Sequence, residues 1–483
     1  MGFVALRGET QESSASRALQ PGVKQLFLDD AVVEKTVAVK RTLHQLRKYS
    51  GNPVLKAERP WEGNAVGIRT APYWHPERNR FEMYYIAGPV TCLVVSGDGL
   101  NWTRPMLDHV EYEASKQNNI VNIGERERFL FHVVHDPLDP DPQRRWKGLI
   151  GERGPRPAAS PDGLHWALLA DKAIPSGEEG HLIYDESSRQ FVFSLRTMHE
   201  NDGHRRRAVN VATSTDFVHW TDPQLAFFAD QKDDVAGRAW LEKYLADPFT
   251  YKPMANDPAQ YNTQLYNMGI FPYEGLYIGL PTLFRMTGVV RADDGLSETG
   301  LTVSRTLLDW QWVADRAAAF NPLSRLDESP HDAAQIEPPS RPLRHGDELW
   351  FYYTGTNNRP VHPSLRETYR AVICVGMLRL DGFVSLDAFG KTGSVLTRPL
   401  KWNGSSLWVN ADASGGAVHV ELLDETGDPL AHFTQAAAIG ITTDSVRARA
   451  HWQGNVRLDS LAGRTVRLRF TLDHARLYAF WTE

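Results

Sequence analysis

The sequence predicts an all-β chain, a five-bladed β-propeller over residues 21–389 followed by a C-terminal β-sandwich over 390–483. Three observations carry that expectation. A turn motif recurs four times with Ser and Trp six positions apart: SGDGLNW (Ser96–Trp102), SPDGLHW (Ser160–Trp166), STDFVHW (Ser214–Trp220) and SRTLLDW (Ser304–Trp310). A polar turn leading into an aromatic-rich alternating run recurs five times, as HPERNRFEMYYIA from His75, DPDPQRRWKGLIG from Asp139, DESSRQFVFSLR from Asp185, PYEGLYIGL from Pro272 and RHGDELWFYYTG from Arg344. From Gly390 onward, short alternating runs are punctuated at Asn403-Gly404, Gly415-Gly416, Thr426-Gly427 and Ala462-Gly463, the turn spacing of a sandwich.

Each element follows from its residues. Residues 1–20 are polar, Ser-rich and without periodicity, so they are expected to be disordered. The run LFLDDAVVE (Leu26–Glu34) is expected to close the ring by joining the last blade. In the turn motif, Asp98, Asp162 and Asp216 are placed to accept backbone N–H bonds within their own turns. Gly99 and Gly163 supply the turn dihedrals, and each Trp is expected to pack between neighbouring sheets. These Asp residues therefore read as structural. Before each aromatic run lies a further apolar run (GIRTAPYW, FLFHVVHD, GHLIYD, QLYNMGIF, IEPPSRPL), which gives five units of about four strands at roughly 40–50 residues each. The third and fourth motifs are spaced widely by an insertion, Asp233–Asn262, whose DDVAGRAWLEKYLAD stretch has helical spacing. It is expected on a propeller face, as a lid or as an oligomer contact. The fifth unit ends in CVGMLRLDGFVSL, with Asp381-Gly382 in place of the Trp hairpin.

Composition removes several function classes. Lys plus Arg is 53 against 59 Asp plus Glu, a net charge of −6, and no dense basic run exists, so nucleic acid is not an expected partner. No stretch approaches the ~20 apolar residues of a membrane span. The first 25 residues lack a signal-peptide core, which makes the cytoplasm the expected location. Cys92 and Cys374 sit in apolar strand-like runs and read as reduced and buried. No cofactor or metal is expected: His132 and His135 are three apart on a strand and face opposite ways, and His199-Glu200 with His204 miss the zinc-protease spacing. Fourteen Trp and 16 Tyr suit a sugar-binding surface as well as a sheet-rich core.

The site argument is geometric. The innermost strands of a propeller converge on a funnel, so polar residues at their starts meet in space. Candidate acid and base groups are Glu62, Asp136, Glu179, Asp332 and Glu337. Candidate substrate-binding groups are Trp61, Arg69, His135, His181, Tyr266, Asn267 and Gln335. Several carboxylates in one funnel raise one another's pKa through repulsion and burial, which readies one as an acid. The structural alternative is that each caps a turn or pairs with an arginine; for Asp136 the rival partners are Arg144 and Arg145. Trp61 and Tyr266 either stack on a sugar or fill core.

The architecture resembles the superfamily of glycoside hydrolase families 32 and 43, and fragments of the motifs do too. HDPLDPDPQRRWKG (His135–Gly148) is similar to the family 32 Arg-Asp-Pro segment, which implies a transition-state-stabilising role for Asp136, with His135 standing where that family has Arg. GEEGHLIYD places Glu178 and Glu179 near the family 32 acid, without its Cys-Pro, and Glu62 in PWEGN lies where the nucleophile motif would enter. IEPPSRPLRHGDELWFYY (Ile336–Tyr353) resembles the family 43 segment that bears the general acid, which implies that role for Glu337. NPVL…PWEGN is also similar to family 130, mannoside phosphorylases and hydrolases. The resemblance implies hydrolysis of a small oligosaccharide or glycoside, with furanosides such as fructosides or arabinosides favoured, and a carbohydrate as the partner. Three alternatives stand beside it: a phosphorylase using Arg69, Arg341 or Arg205–Arg207 as an anion site, a non-catalytic sugar-binding propeller, and a polysaccharide lyase using His135 or Tyr266. A homo-oligomer through the 233–262 insertion or the sandwich is a further expectation.

Overall fold

The structure is a computed structural model that describes residues 17–124, 129–291, 293–338, 340–454 and 456–483. The chain is all-β. Among the described residues the α-helices are Gln231–Ala246 and the single turn Pro363–Arg366. Two compact units divide the chain, one spanning Leu43–Phe383 and the other combining residues up to Thr42 with Val384–Glu483.

In the Leu43–Phe383 unit the two repeated patterns become antiparallel sheets. The first sheet sets Val66–Gly67 and Tyr73–His75 against Arg80–Ala87, with Val90–Ser96 on its other side. The second runs Leu130–His135, Trp146–Ile150, Arg156–Ser160, Ala167–Leu168, and the third Gly180–Asp185, Gln190–Asn201, His204–Ser214, Gln224–Phe228. The fourth and fifth repeats join into one ten-stranded sheet through a parallel pairing at Ser297 and Gln335. Buried side chains link the repeats in succession. Tyr84 and Leu93 pack with Trp146 and Trp166, Leu149 with Phe191 and Phe193, and Val192 and Val209 with Leu265 and Ile270. Phe271 meets Phe351, and Tyr352 and Val375 of the fifth repeat meet Val66, Met83 and Val94 of the first.

The turn motif behaves as its chemistry dictates. Asp98, Asp162 and Asp216 each accept two backbone N–H bonds from residues two and three positions on, at 2.8–2.9 Å. In the fourth copy Thr306 takes over, its hydroxyl accepting from Leu308 and Asp309. Trp102 meets Tyr352, and Trp166 meets Tyr84, across neighbouring sheets. Cys92 and Cys374 are free and buried, and burial pushes both thiols up.

Two boundaries differ from expectation. Leu26–Glu34 does not join the last blade: Gln25–Leu26 pairs with Phe480 and Ala479, and Val33–Val37 pairs with Ser394–Thr397. An apolar run needs a sheet edge, but the run itself does not say which edge. The edge of the fifth repeat is taken instead by Arg47–Lys48 on Gly376 and Met377. Residues 21–42 therefore belong with the C-terminal unit, and Val384–Ala388 also lies there, paired with Ala475–Leu477. Of the expected disordered tail, residues 1–16 lie outside the described residues, while Arg17–Ala18 forms a parallel pair with Leu400–Lys401. The C-terminal unit has two six-stranded sheets with Thr465–Asp473 and Ala475–Thr482 at their centres, and Phe470 and Phe480 meet at 5.2 Å.

Candidate active site

Arg69 follows the short strand Val66–Gly67 and organises the site. Its Nε and Nη2 chelate Glu179 at 2.6 and 2.7 Å, and Nη2 also contacts a Glu337 carboxylate oxygen. Glu179 immediately precedes Gly180–Asp185, and Glu337 ends Gln335–Glu337, so three separate repeats deliver the three charges. All three residues are buried, at 8–9% exposure. Gln335 donates to the other Glu337 oxygen at 2.7 Å and accepts from Arg359 at 3.2 Å.

A β-bulge supplies the fourth repeat's contribution. The register of Asn262–Tyr273 against Leu276–Val289 shifts between Leu265 and Met268, so Tyr266 and Asn267 stand in the bulge. A bulge re-aims side chains out of strict alternation. Here it turns Asn267 to donate to Glu179 at 3.4 Å while accepting from the Thr282 hydroxyl, and it brings the Tyr266 hydroxyl to 3.4 Å from Glu178. Beneath Arg69, His181 Nδ1 lies 3.3 Å from the Arg69 carbonyl oxygen, and the His132 ring sits 6.2 Å away.

The electrostatics separate the two glutamates. Burial pushes the Glu337 carboxyl up to about 7, and the Glu179 charge acts in the same direction against the pull of Arg69 and Arg359. For Arg69 burial opposes the charge, but Glu179 and Glu337 outweigh it and hold the guanidinium above its ordinary range. Burial, then the Arg69 charge, drives His181 down to about 3, and burial first, with His181 and Arg69 acting in the same direction, holds His132 well below its usual value. Both imidazoles are thus neutral at pH 7. Burial, then the Glu337 charge, raises Tyr369 to about 12.

Seven of the twelve candidates therefore come together: Arg69, Glu179, His181, Tyr266, Asn267, Gln335 and Glu337. Five do not, and each has a structural task. Glu62 is fully buried and accepts from Arg104, Tyr85 and the Glu58 and Arg59 amides; burial works against its charge, but these partners outweigh it and hold its pKa down. Trp61 is fixed by Asn119 at 3.0 Å and by the Tyr112 ring. Asp136 pairs with Lys147 at 2.8 Å, a lysine shared with Asp139, rather than with Arg144 or Arg145. His135 packs on Trp146 and Tyr73, its pKa lowered to about 4 by burial. Asp332 is buried with Lys48 and the Tyr353 hydroxyl, each at 2.7 Å. Arg359, bonded to Gln335, is the site residue that the sequence does not single out, whereas it offers Arg207 as part of an anion site and His132 as a funnel histidine. Arg359 and Tyr369 lie on the connection 357–370 between paired strands, far longer than a hairpin turn, and such a length is itself a functional signal.

No family model matches the chain, and no curated protein matches it. Similar solved structures include the α-L-arabinofuranosidase PaAbf62A from Podospora anserina, at 11% identity and TM-score 0.44 over 70% of this chain and 98% of that one. The catalytic domain of a Coprinopsis cinerea GH62 α-L-arabinofuranosidase is 12% identical at TM-score 0.42 over 69% and 97%. The GH32 β-fructofuranosidase BmSUC1 from Bombyx mori is 9% identical at TM-score 0.38 over 90% and 94%. All three lie below 25% identity and below a TM-score of 0.5.

Proposed function

We propose that the protein is a glycosidase that hydrolyses a small oligosaccharide or glycoside, a furanoside such as a fructoside or arabinoside being favoured. The observation that carries this reading is the Glu179–Arg69–Glu337 cluster, in which one carboxylate is chelated by an arginine and the other is held near neutrality. The succession of sheets, each packed on the next and the fifth repeat on the first, supports a five-bladed propeller as the scaffold. The two six-stranded sheets of the other unit are read as the β-sandwich.

In this mechanism protonated Glu337 donates its proton to the departing glycosidic oxygen as Glu179 attacks the sugar carbon from the opposite side, and the resulting glycosyl ester is cleaved by a water that the Glu337 carboxylate deprotonates, which restores both glutamates. Oxygens of both glutamates contact one Nη2, a spacing nearer the ~5–5.5 Å of retaining pairs than the ~6.5–9.5 Å that admits a water in inverting ones. The first-formed product should therefore keep the anomeric configuration of the substrate, which proton NMR of fresh product checks. Inversion would assign Glu179 to water activation instead.

The test of function is mass spectrometry on a panel of furanoside and pyranoside oligosaccharides, with and without phosphate, comparing wild type with Glu337→Gln. Gain of water on cleavage, reduced ~10²–10⁴-fold in the variant, is the expected result. Undiminished cleavage in Glu337→Gln sinks the assignment of the acid. Sugar phosphate as product would make it a phosphorylase, an unsaturated product a lyase, and binding without cleavage a sugar-binding protein.

A further inference from the structure

Beside the glutamate pair lie two guanidinium groups that the acid–base chemistry does not use. Arg207 and Arg359 both stand over the Phe284 ring, at 5.1 and 4.5 Å from its centre. Arg207 pairs with Asp293 at 2.7 Å and also contacts Gln264. Arg359 has only neutral acceptors, Gln335 at 3.2 Å and the Asp293 carbonyl at 3.3 Å, and makes no ion pair among the described residues. Asp294, whose charge reaches Arg359, is itself occupied by the Ala255 and Gly295 amides. The Nε atoms of both arginines are buried without a partner. Two like charges side by side in a partly desolvated place, with one carboxylate directly paired between them, are a costly arrangement unless something anionic arrives.

The arrangement also has a direction. Arg359 bonds Gln335, Gln335 bonds Glu337, and Glu337 contacts Arg69, so Arg359 stands two hydrogen bonds from the proposed acid. Tyr266, half-buried, lies beneath the Arg207 guanidinium at 5.5 Å. A planar fork of N–H donors over an aromatic face is how arginine takes a carboxylate or phosphate.

We propose that Arg207 and Arg359 form an oxyanion subsite adjoining Glu337, so that the substrate either carries an acidic group next to the scissile bond, such as a uronic acid carboxylate, or reacts in the presence of bound free phosphate. The inference rests on the sugar-cleaving reading for the identity of the site it adjoins. Its test reads binding alone.

Calorimetric titration of the full chain with galacturonate, glucuronate, inorganic phosphate and neutral galactose makes the measurement, on wild type, Arg359→Gln, Arg207→Gln, Arg359→Lys and Glu337→Gln. Wild type should bind at least one anion more tightly than galactose. Arg359→Gln and Arg207→Gln should each weaken that anion about 10–100-fold, the loss of a charge-assisted contact, while leaving galactose unchanged. Arg359→Lys should recover part of the loss, and Glu337→Gln should still bind. Uronate binding without phosphate binding identifies a substrate carboxylate, and phosphate binding without uronate identifies the free oxyanion. Thermal melts establish that each variant is folded, and having two independent arginines keeps one unfolded variant from deciding the matter. Absence of anion binding by wild type, or equal anion affinity in folded Arg359→Gln and Arg207→Gln, overturns the proposal. Anion binding in a protein that cleaves no glycoside would leave the subsite standing and remove the glycosidase reading.

Discussion

Glu337 ties activity to pH through a single proton. As the general acid it must enter the reaction protonated, and its carboxyl is held at about 7 instead of 4.5, by burial first and Glu179 second. The protonated fraction falls as pH rises through 7, so kcat/KM on the cleaved glycoside should show an alkaline limb near pH 7. The same shift bears on stability. A folded-state value above the unfolded one means that the native state holds the proton more tightly, so the contribution is full below 4.5 and lost as pH rises through about 7. Thermal melts of Glu337→Gln should lose that segment of pH dependence. Asp332 provides the contrast: with a side chain 2% exposed and paired to Lys48, it is a structural carboxylate. Asp332→Asn should leave kcat/KM within a few-fold but cost on the order of 2–3 kcal/mol in denaturant melts, somewhat below a fully buried pair because Lys48 is partly exposed.

The turn motif shows how one local requirement is met by different residues. Gly163 has φ +78°, and a Cβ there would meet the Tyr84 hydroxyl at 2.3 Å and the Trp146 ring. Gly203 has nearly the same φ, +76°, with open space around it. Gly203→Ala should therefore cost about 1–2 kcal/mol from backbone strain alone, whereas Gly163→Ala adds an overpacking cost of about 1–3 kcal/mol; paired chemical melts measure the difference. The third copy holds Phe217 at φ +65°, fully buried against Phe191 and Trp220, so packing offsets the strain. These hairpins were legible in the sequence because their chemistry is local: an Asp or Thr oxygen, a tight turn and a Trp six residues from the Ser. The bulge at Tyr266 and Asn267 is less local. Its visible mark is Pro281, which sits opposite Met268 in the partner strand and cannot donate to the ladder.

At the scale of the whole chain, what the sequence withheld is pairing between distant segments. Glu62 and Asp332 looked equal to Glu179 and Glu337 as funnel carboxylates, because nothing local says that Arg104 and Lys48 would reach them; for Asp136 the partner Lys147 stands nearby, in the next strand of the same hairpin. The same limit placed Leu26–Glu34 in the wrong sheet. Leu26, Phe27, Leu28, Val32 and Val33 are all buried, Phe27 meets Phe480 at 6.2 Å, and Glu34 pairs with Arg467. The strands Gln25–Leu26 and Val33–Val37 each complete one of the two sheets that the C-terminal segment builds. A chain beginning at Leu43 would leave those edges and their apolar side chains uncovered, and uncovered edges pair with other molecules. Limited proteolysis of that truncated chain should therefore cut within 384–483 while sparing 43–383, which keeps its own strands and cores. Equal protection of both segments would mean that the C-terminal sheets fold without residues 17–42, and that the long-range pairings of Leu26 and Val33 are dispensable.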